Sequence, residues 1–234
     1  LQRTRQAYEN YEFHVVFHAV HNFCVFDLSN IYFDIRKDTL YCSLPFSRER
    51  RAAQTVLSEL IRALVVMLSP VLTYTMEEVW GHLKKEDEPV SVQLLEWPAV
   101  SDQYLDDELE RRINGVLRVR EVVTKVLEEA RARKIIGHSL GAYVDIYADD
   151  ERLAALSKFE DLKRIFIVSQ IELHPAGERG AEAGSLEEVP GLWASARAAQ
   201  GEKCERCWTV DLTVGNDKAY EHLCERCAQV LHRL

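Results

Sequence analysis

Four of the six cysteines form two matched pairs, Cys204-Glu-Arg-Cys207 and Cys224-Glu-Arg-Cys227, separated by sixteen residues. Thiolates are soft donors, and two Cys-x-x-Cys turns facing each other place four of them tetrahedrally around one Zn²⁺. With every coordination position filled by protein, no water site remains, so such a metal is structural. Metal binding in small zinc peptides is worth about 10–16 kcal/mol, enough to fold a tail that has few apolar residues. Modules of this kind bind nucleic acid or protein. Lys203, Arg206, Arg226 and Trp208 supply charge for a phosphate and a ring for a base. Trp208 is equally readable as a packing residue over the metal site. Cys24 and Cys42 stand apart in apolar helical context and read as small buried residues. Paired cysteines in a chain without a secretory segment point to metal binding in a reducing compartment, the cytoplasm.

Other constellations are weaker. Gly137-His-Ser-Leu-Gly141 matches the Gly-x-Ser-x-Gly nucleophile elbow, whose context is strand, sharp turn, helix. Here a polar helix leads in and an alternating strand leads out, so the segment reads as a turn and not as a serine hydrolase. His14, His18 and His21 share a helical face at metal-binding steps, but the helix is dense with aromatic residues, and they read as interface or surface histidines. Arg48, Arg50 and Arg51 open one helix where Lys37 ends the one before it. They are expected to ring one end of a bundle, where they meet phosphates or pair with Glu49 and Asp38. Residues 111–134 hold eight basic side chains, Arg111, Arg112 and Arg118 among them, against Glu121, Glu128 and Glu129. That stretch is a solvated face or a track for phosphates. No Gly-rich nucleotide loop, Walker lysine or dinucleotide fingerprint is present in the sequence.

The elements that must position these groups follow from periodicity. Residues 7–26 carry apolar side chains at three- and four-residue steps and predict a helix; Asp27 or Ser29 then caps a second to about Tyr41. Ser47 starts a third through Leu68, ended by Pro70. Thr75-Met-Glu-Glu78 is a capping box for a short helix to about Trp80. Residues 84–102 read as a connection, followed by a long helix over 103–134. Strands are expected over 142–148 and 165–173, with Asp149 or Asp150 capping a short helix between them, and 174–191 read as a loop or hairpin. The chain has 234 residues, 47% of them hydrophobic and 29% charged, with a net charge of -9. That composition excludes a disordered tail and a wholesale nucleic-acid coat. The longest apolar run covers only 63–68, far short of the ~20 residues of a membrane span. The first residue is Leu and not Met, which points to a piece of a longer protein.

Several of these segments are recognisable together. Phe23-Cys-Val-Phe-Asp-Leu-Ser29, Tyr32-Phe-Asp-Ile-Arg-Lys-Asp38 and Leu40-Tyr-Cys42 resemble the anticodon-binding bundle of bacterial isoleucyl-tRNA synthetases. Arg50-Arg-Ala-Ala-Gln-Thr55, Thr75-Met-Glu-Glu-Val-Trp80 and Glu96-Trp-Pro98 look like its continuation. Leu127-Glu-Glu-Ala-Arg131, Lys134-Ile-Ile-Gly137 and Val168-Ser-Gln-Ile-Glu-Leu173 are similar to the segment after the bundle, and the two cysteine pairs to the family's C-terminal zinc module. The resemblance implies a mainly α fold: a helical bundle of the class I synthetase anticodon-binding type over 1–98, a small α/β junction subdomain over 99–200, and a four-cysteine zinc ribbon or knuckle over 201–234. It implies recognition of the tRNA(Ile) anticodon stem-loop by a monomeric, cytoplasmic, membrane-free part of the enzyme. The catalytic and editing domains, with their use of ATP, are then partners elsewhere in the same polypeptide, and this chain alone is inactive in ligation. RNA contacts are expected at Lys37, Arg48, Arg50, Arg51, Arg111, Arg112, Arg118, Arg206 and Trp208. The alternative is a zinc-stabilised protein-interaction module without RNA binding.

Overall fold

In the computed structural model, which describes residues 1–99 and 101–234, the first helical stretch is broken at Tyr11. α1 (Gln2–Glu9) closes when Tyr11 adopts φ +58: its N–H bonds to the carbonyl of Tyr8, and that of Glu12 to the carbonyl of Ala7. This is a Schellman closure, and it replaces the single helix expected over 7–26. α2 (Phe13–Asn22) then runs without interruption through π-helical turns at Phe23–Phe33 into α3 (Asp34–Cys42). Neither Asp27 nor Ser29 caps a new helix. The apolar positions Val16, Val20, Cys24 and Leu28 are spaced by four, and the wider π turns offset the drift that this spacing accumulates against a 3.6-residue repeat.

α4 (Arg48–Leu68) begins where expected, with the Ser47 hydroxyl accepting from the N–H of Arg50. α5 (Thr73–Leu83) starts before the expected capping box. Thr75 therefore lies inside the helix and cannot be its cap; Leu72 holds that position without a side-chain cap bond, and the Glu77 carboxylate accepts from the Ser91 hydroxyl and from the Val92 N–H. Trp80 is buried, donates to the carbonyl of Pro89 at 2.9 Å, and lies under the Arg62 guanidinium. Val100, inside the expected connection 84–102, lies outside the described residues. α6 (Asp107–Ala132) is capped by Asp106 and closed by a second Schellman turn at Lys134, φ +58.

β1 (Ala142–Ala148) follows, and Asp149 caps α7 (Asp150–Leu156), as the sequence indicated. The second strand is displaced. Asp161 caps α8 (Leu162–Phe166), which ends at Ile167 with φ +58, so β2 begins only at Gln170 and spans Gln170–Pro175. β3 (Leu192–Ala198) was not anticipated. β1 lies between a parallel β2 and an antiparallel β3. Val144 and Ile146 on one face of this sheet pack with Val119, Val122, Val123 and Val126, the inward seam of α6. β4 (Glu202–Lys203) and β5 (Val210–Asp211) form a short hairpin, and α9 (Glu225–Leu231) ends the chain. The molecule is thus predominantly helical, with a small mixed sheet and a C-terminal cysteine cluster.

Residues form two compact units: Leu1–Asp34 with Pro45–Leu105, and Ile35–Leu44 with Asp106–Leu234. Most of α3 therefore belongs with the sheet and the cysteines.

Candidate metal centre and nucleic-acid interface

The four thiols of Cys204, Cys207, Cys224 and Cys227 come together in the second unit. All four residues are buried and their Sγ atoms lie within 4.8 Å of one another. Two elements deliver them. The β4–β5 hairpin carries the first pair, whose knuckle is closed by Trp208 N–H to the Cys204 carbonyl and Cys204 N–H to the Thr209 carbonyl, both 2.9 Å. The second pair straddles the N-terminus of α9, with Cys224 at its cap. Ser169 anchors the hairpin to the sheet, donating to the Leu140 carbonyl at 2.5 Å and accepting from the Val210 N–H at 2.7 Å.

The donor set fits Zn²⁺. A Zn–S bond of about 2.3 Å in a tetrahedron places neighbouring sulfurs about 3.8 Å apart, and Cys207 Sγ and Cys224 Sγ stand 3.8 Å apart. Hydrogen bonds from the Cys224 and Cys227 thiols hold Cys207 far below the usual thiol range, while the same bonds, together with burial, raise the other two. A thiolate gathered by neighbouring thiols is the state from which a divalent cation displaces protons.

Around this cluster lie contacts the sequence did not disclose. Cys42 is buried as expected, but against the cysteine cluster, where burial pushes its thiol up to about 11. Arg206 N–H groups donate to the Cys42 carbonyl at 2.7 Å and to Cys227 Sγ at 3.7 Å. Arg226 forms a two-pronged pair with Asp38, both contacts 2.6 Å, and Asp38 raises its already high pKa. Asp38 also meets Arg164 at 3.2 Å. Asp38 sits in the second unit with Arg226 and Arg164, whereas Arg48, Arg50 and Arg51 lie in the first. For the same reason Lys37 does not share a compact unit with those arginines.

The other singled-out residues fall as follows. Arg111 and Arg118 are exposed on α6; the Arg111 guanidinium donates to the Asp107 carbonyl, and Arg112 lies 5.4 Å over the Phe159 ring. Trp208 is 60% exposed, with Lys203 Nζ 5.4 Å from its ring. Its backbone sits in the left-handed region at φ +67. Ser139 opens a helical turn leading into β1 and its hydroxyl accepts from Arg131, so the Gly-x-Ser-x-Gly segment is a turn. His14, His18 and His21 are exposed, the latter two ringing Phe17. A second donor group, Asp145, Glu172 and His174, gathers across β1 and β2. Asp145 already shares its oxygens between His174 at 3.1 Å and Arg197 at 3.2 Å, a satisfied network.

The family model for the anticodon-binding domain of tRNA ligases matches residues 1–146. The chain belongs to that family. A second model, for the zinc finger found in FPG and IleRS, matches residues 201–230 of this anticodon-binding family member, the stretch that carries the four thiols. The whole chain is 56% identical to an isoleucine--tRNA ligase of Syntrophomonas wolfei, covering 25% of that protein. It is 49% identical to the enzyme of Moorella thermoacetica, of which it covers 26%. Over 234 residues it is 46% identical to that of Desulfitobacterium hafniense, covering 25%. The chain thus spans about a quarter of the length of the curated relatives it matches. Among the described residues, no helix is long and apolar enough to cross a membrane.

Proposed function

We propose that this chain is the tRNA-reading quarter of an isoleucine--tRNA ligase and binds the anticodon stem-loop of tRNA(Ile). The observation that carries this is the anticodon-binding family match over 1–146, joined to end-to-end similarity with isoleucine--tRNA ligases. The helical unit then acts as a bundle of the class I synthetase type. Segments 1–98, 99–200 and 201–234 serve as bundle, junction and zinc module. Activation of isoleucine with ATP and its transfer to tRNA belong to the catalytic part of the parent polypeptide, with editing in a further domain. The working protein is a cytoplasmic monomer.

Splayed anticodon bases stack on aromatic rings and are read on their edges, while basic side chains fix register through phosphates. Trp208 with Lys203 offers the stacking platform. Lys37, Arg48, Arg50, Arg51, Arg111, Arg112 and Arg118 supply phosphate contacts, with Arg206 beside the cluster. Cys204, Cys207, Cys224 and Cys227 hold one structural Zn²⁺, which supplies a fixed tetrahedral crosslink between hairpin and helix and no reaction chemistry. The net charge of -9 limits indiscriminate adhesion to RNA, so a local basic surface decides where RNA docks.

The test is a titration of the zinc-loaded chain with tRNA(Ile) beside the same tRNA carrying an altered anticodon. Tighter binding of the former, weakening steeply with salt, is expected. Equal affinity for both removes anticodon reading from this chain. Absence of RNA binding, with retention of a protein partner, is the outcome of the interaction-module alternative.

A further inference from the structure

The two cysteine pairs share an internal pattern: each is Cys-Glu-Arg-Cys. Both arginines turn toward the same helix. Arg206 reaches the carbonyls of Cys42 at 2.7 Å and Tyr41 at 3.5 Å. Arg226 grips Asp38 with both ends of its guanidinium at 2.6 Å. These targets span the last part of α3, more than 160 residues earlier in the chain. Each arginine also faces a thiol of the opposite pair: Arg206 points an N–H at Cys227 Sγ at 3.7 Å, and Arg226 interacts with Cys207.

Four thiolates around a divalent cation leave a net charge of about -2, and a buried charge of that size needs neighbours that offset it. Two guanidiniums from the knuckles themselves meet that need. Because each also binds the end of α3, the charge of the cluster and the order of that segment share the same two side chains. A guanidinium suits this double duty. Its planar fork satisfies a carboxylate or carbonyl on one edge while leaving N–H groups for sulfur on another.

We propose that Arg206 and Arg226 are positioning residues of the metal centre, each offsetting the charge of the cluster while clamping the Asp38–Cys42 end of α3 to it. Metal binding and the order of that segment are therefore coupled, and coupling of this kind is reciprocal. Loss of the clamp weakens the metal, and loss of the metal releases the clamp. The inference rests on the reading of the four thiols as a zinc site.

The experiment uses the whole 234-residue chain. Zn²⁺ affinity is measured by competition with a chromophoric chelator in wild type, Asp38→Ala, Arg226→Met and Arg226→Lys. Amide exchange is followed over residues 38–42 with and without zinc, with β1 as the internal fold control. Asp38 is not one of the four donors, yet Asp38→Ala is expected to lower zinc affinity by about 10–100-fold, the usual effect of losing a partner outside the ligand shell. Arg226→Met is expected to do the same. Arg226→Lys keeps the charge but loses the fork, and so recovers only part of the affinity. Exchange over 38–42 accelerates at least tenfold on zinc removal while β1 stays protected. Zinc affinity within twofold of wild type in Asp38→Ala, or unchanged exchange over 38–42 in the metal-free chain, overturns the coupling but leaves the zinc site standing. Failure of the wild-type chain to take up stoichiometric zinc overturns both.

Discussion

Replacing Trp208 by alanine removes a ring from the knuckle while leaving the four thiols in place. The ring is 60% exposed, while Val214 and Leu223 pack against the cysteine cluster. The ring meets Lys203 Nζ at 5.4 Å, a contact worth about 0.5–1 kcal/mol at an exposed site. Zinc affinity and the unfolding midpoint should therefore be close to wild type. Binding should not be. Stacking of a base on an aromatic side chain is worth about 1–3 kcal/mol by alanine substitution, which is about 5–150-fold in Kd. The backbone supplies a second variant. Trp208 sits at φ +67, where a side chain costs about 1–2 kcal/mol that glycine avoids. Trp208→Gly should thus keep the knuckle at least as stable as Trp208→Ala does, while losing the same RNA affinity. Fluorescence anisotropy of a labelled tRNA(Ile) anticodon stem-loop, at fixed salt and with zinc content assayed in parallel, reads both quantities. Affinity within twofold of wild type in both variants refutes the stacking role. A parallel loss of zinc from Trp208→Ala refutes the separation of ring from metal site.

Two further outcomes follow from the packing and electrostatics. Ile146 is fully buried between the sheet and α6, so Ile146→Ala should cost about 2–5 kcal/mol in urea unfolding of the second unit; a loss below about 1 kcal/mol is incompatible with the packing described. The Lys85 N–H, with the Arg62 guanidinium beside it, holds the Glu88 carboxyl below the ordinary carboxylate range. A group whose folded pKa is depressed contributes stability above its unfolded pKa, near 4.3, and that contribution fades as pH falls through the folded value. Glu88→Gln should therefore flatten the acid side of the stability profile of the first unit, and a wild-type slope that persists in this variant sinks the assignment.

The local signals that proved sound share one property: their physics is contained within a few residues. Ser47 and Asp149 cap helices because a side-chain oxygen reaches an N–H three residues on. The spacing of the thiols likewise sets their chemistry, and their convergence is seen directly. The misreadings arose where neighbouring or distant segments competed. α5 begins at Thr73, two residues before the expected capping box, so Thr75 lies within the helix and not at its cap. The apolar run over 165–173 supports helix and strand alike, and Asp161 with the left-handed turn at Ile167 divides it between the two. β3 has the weakly patterned sequence Leu-Trp-Ala-Ser-Ala-Arg-Ala and becomes a strand because the edge of β1 pairs with it.

By itself, then, the sequence determined the two helix-capped ends, the four-thiol module, the charge distribution and the family resemblance, all of them short-range or compositional properties. Tertiary structure alone decided that Trp208 is exposed, that Asp38 answers Arg226, and that the end of α3 lies against the cysteines. Those outcomes depend on contacts across more than 160 residues, or on a backbone angle fixed by a knuckle. No pattern along the chain encodes such contacts until hydrophobic burial brings distant segments such as Cys42 and the cysteine module together.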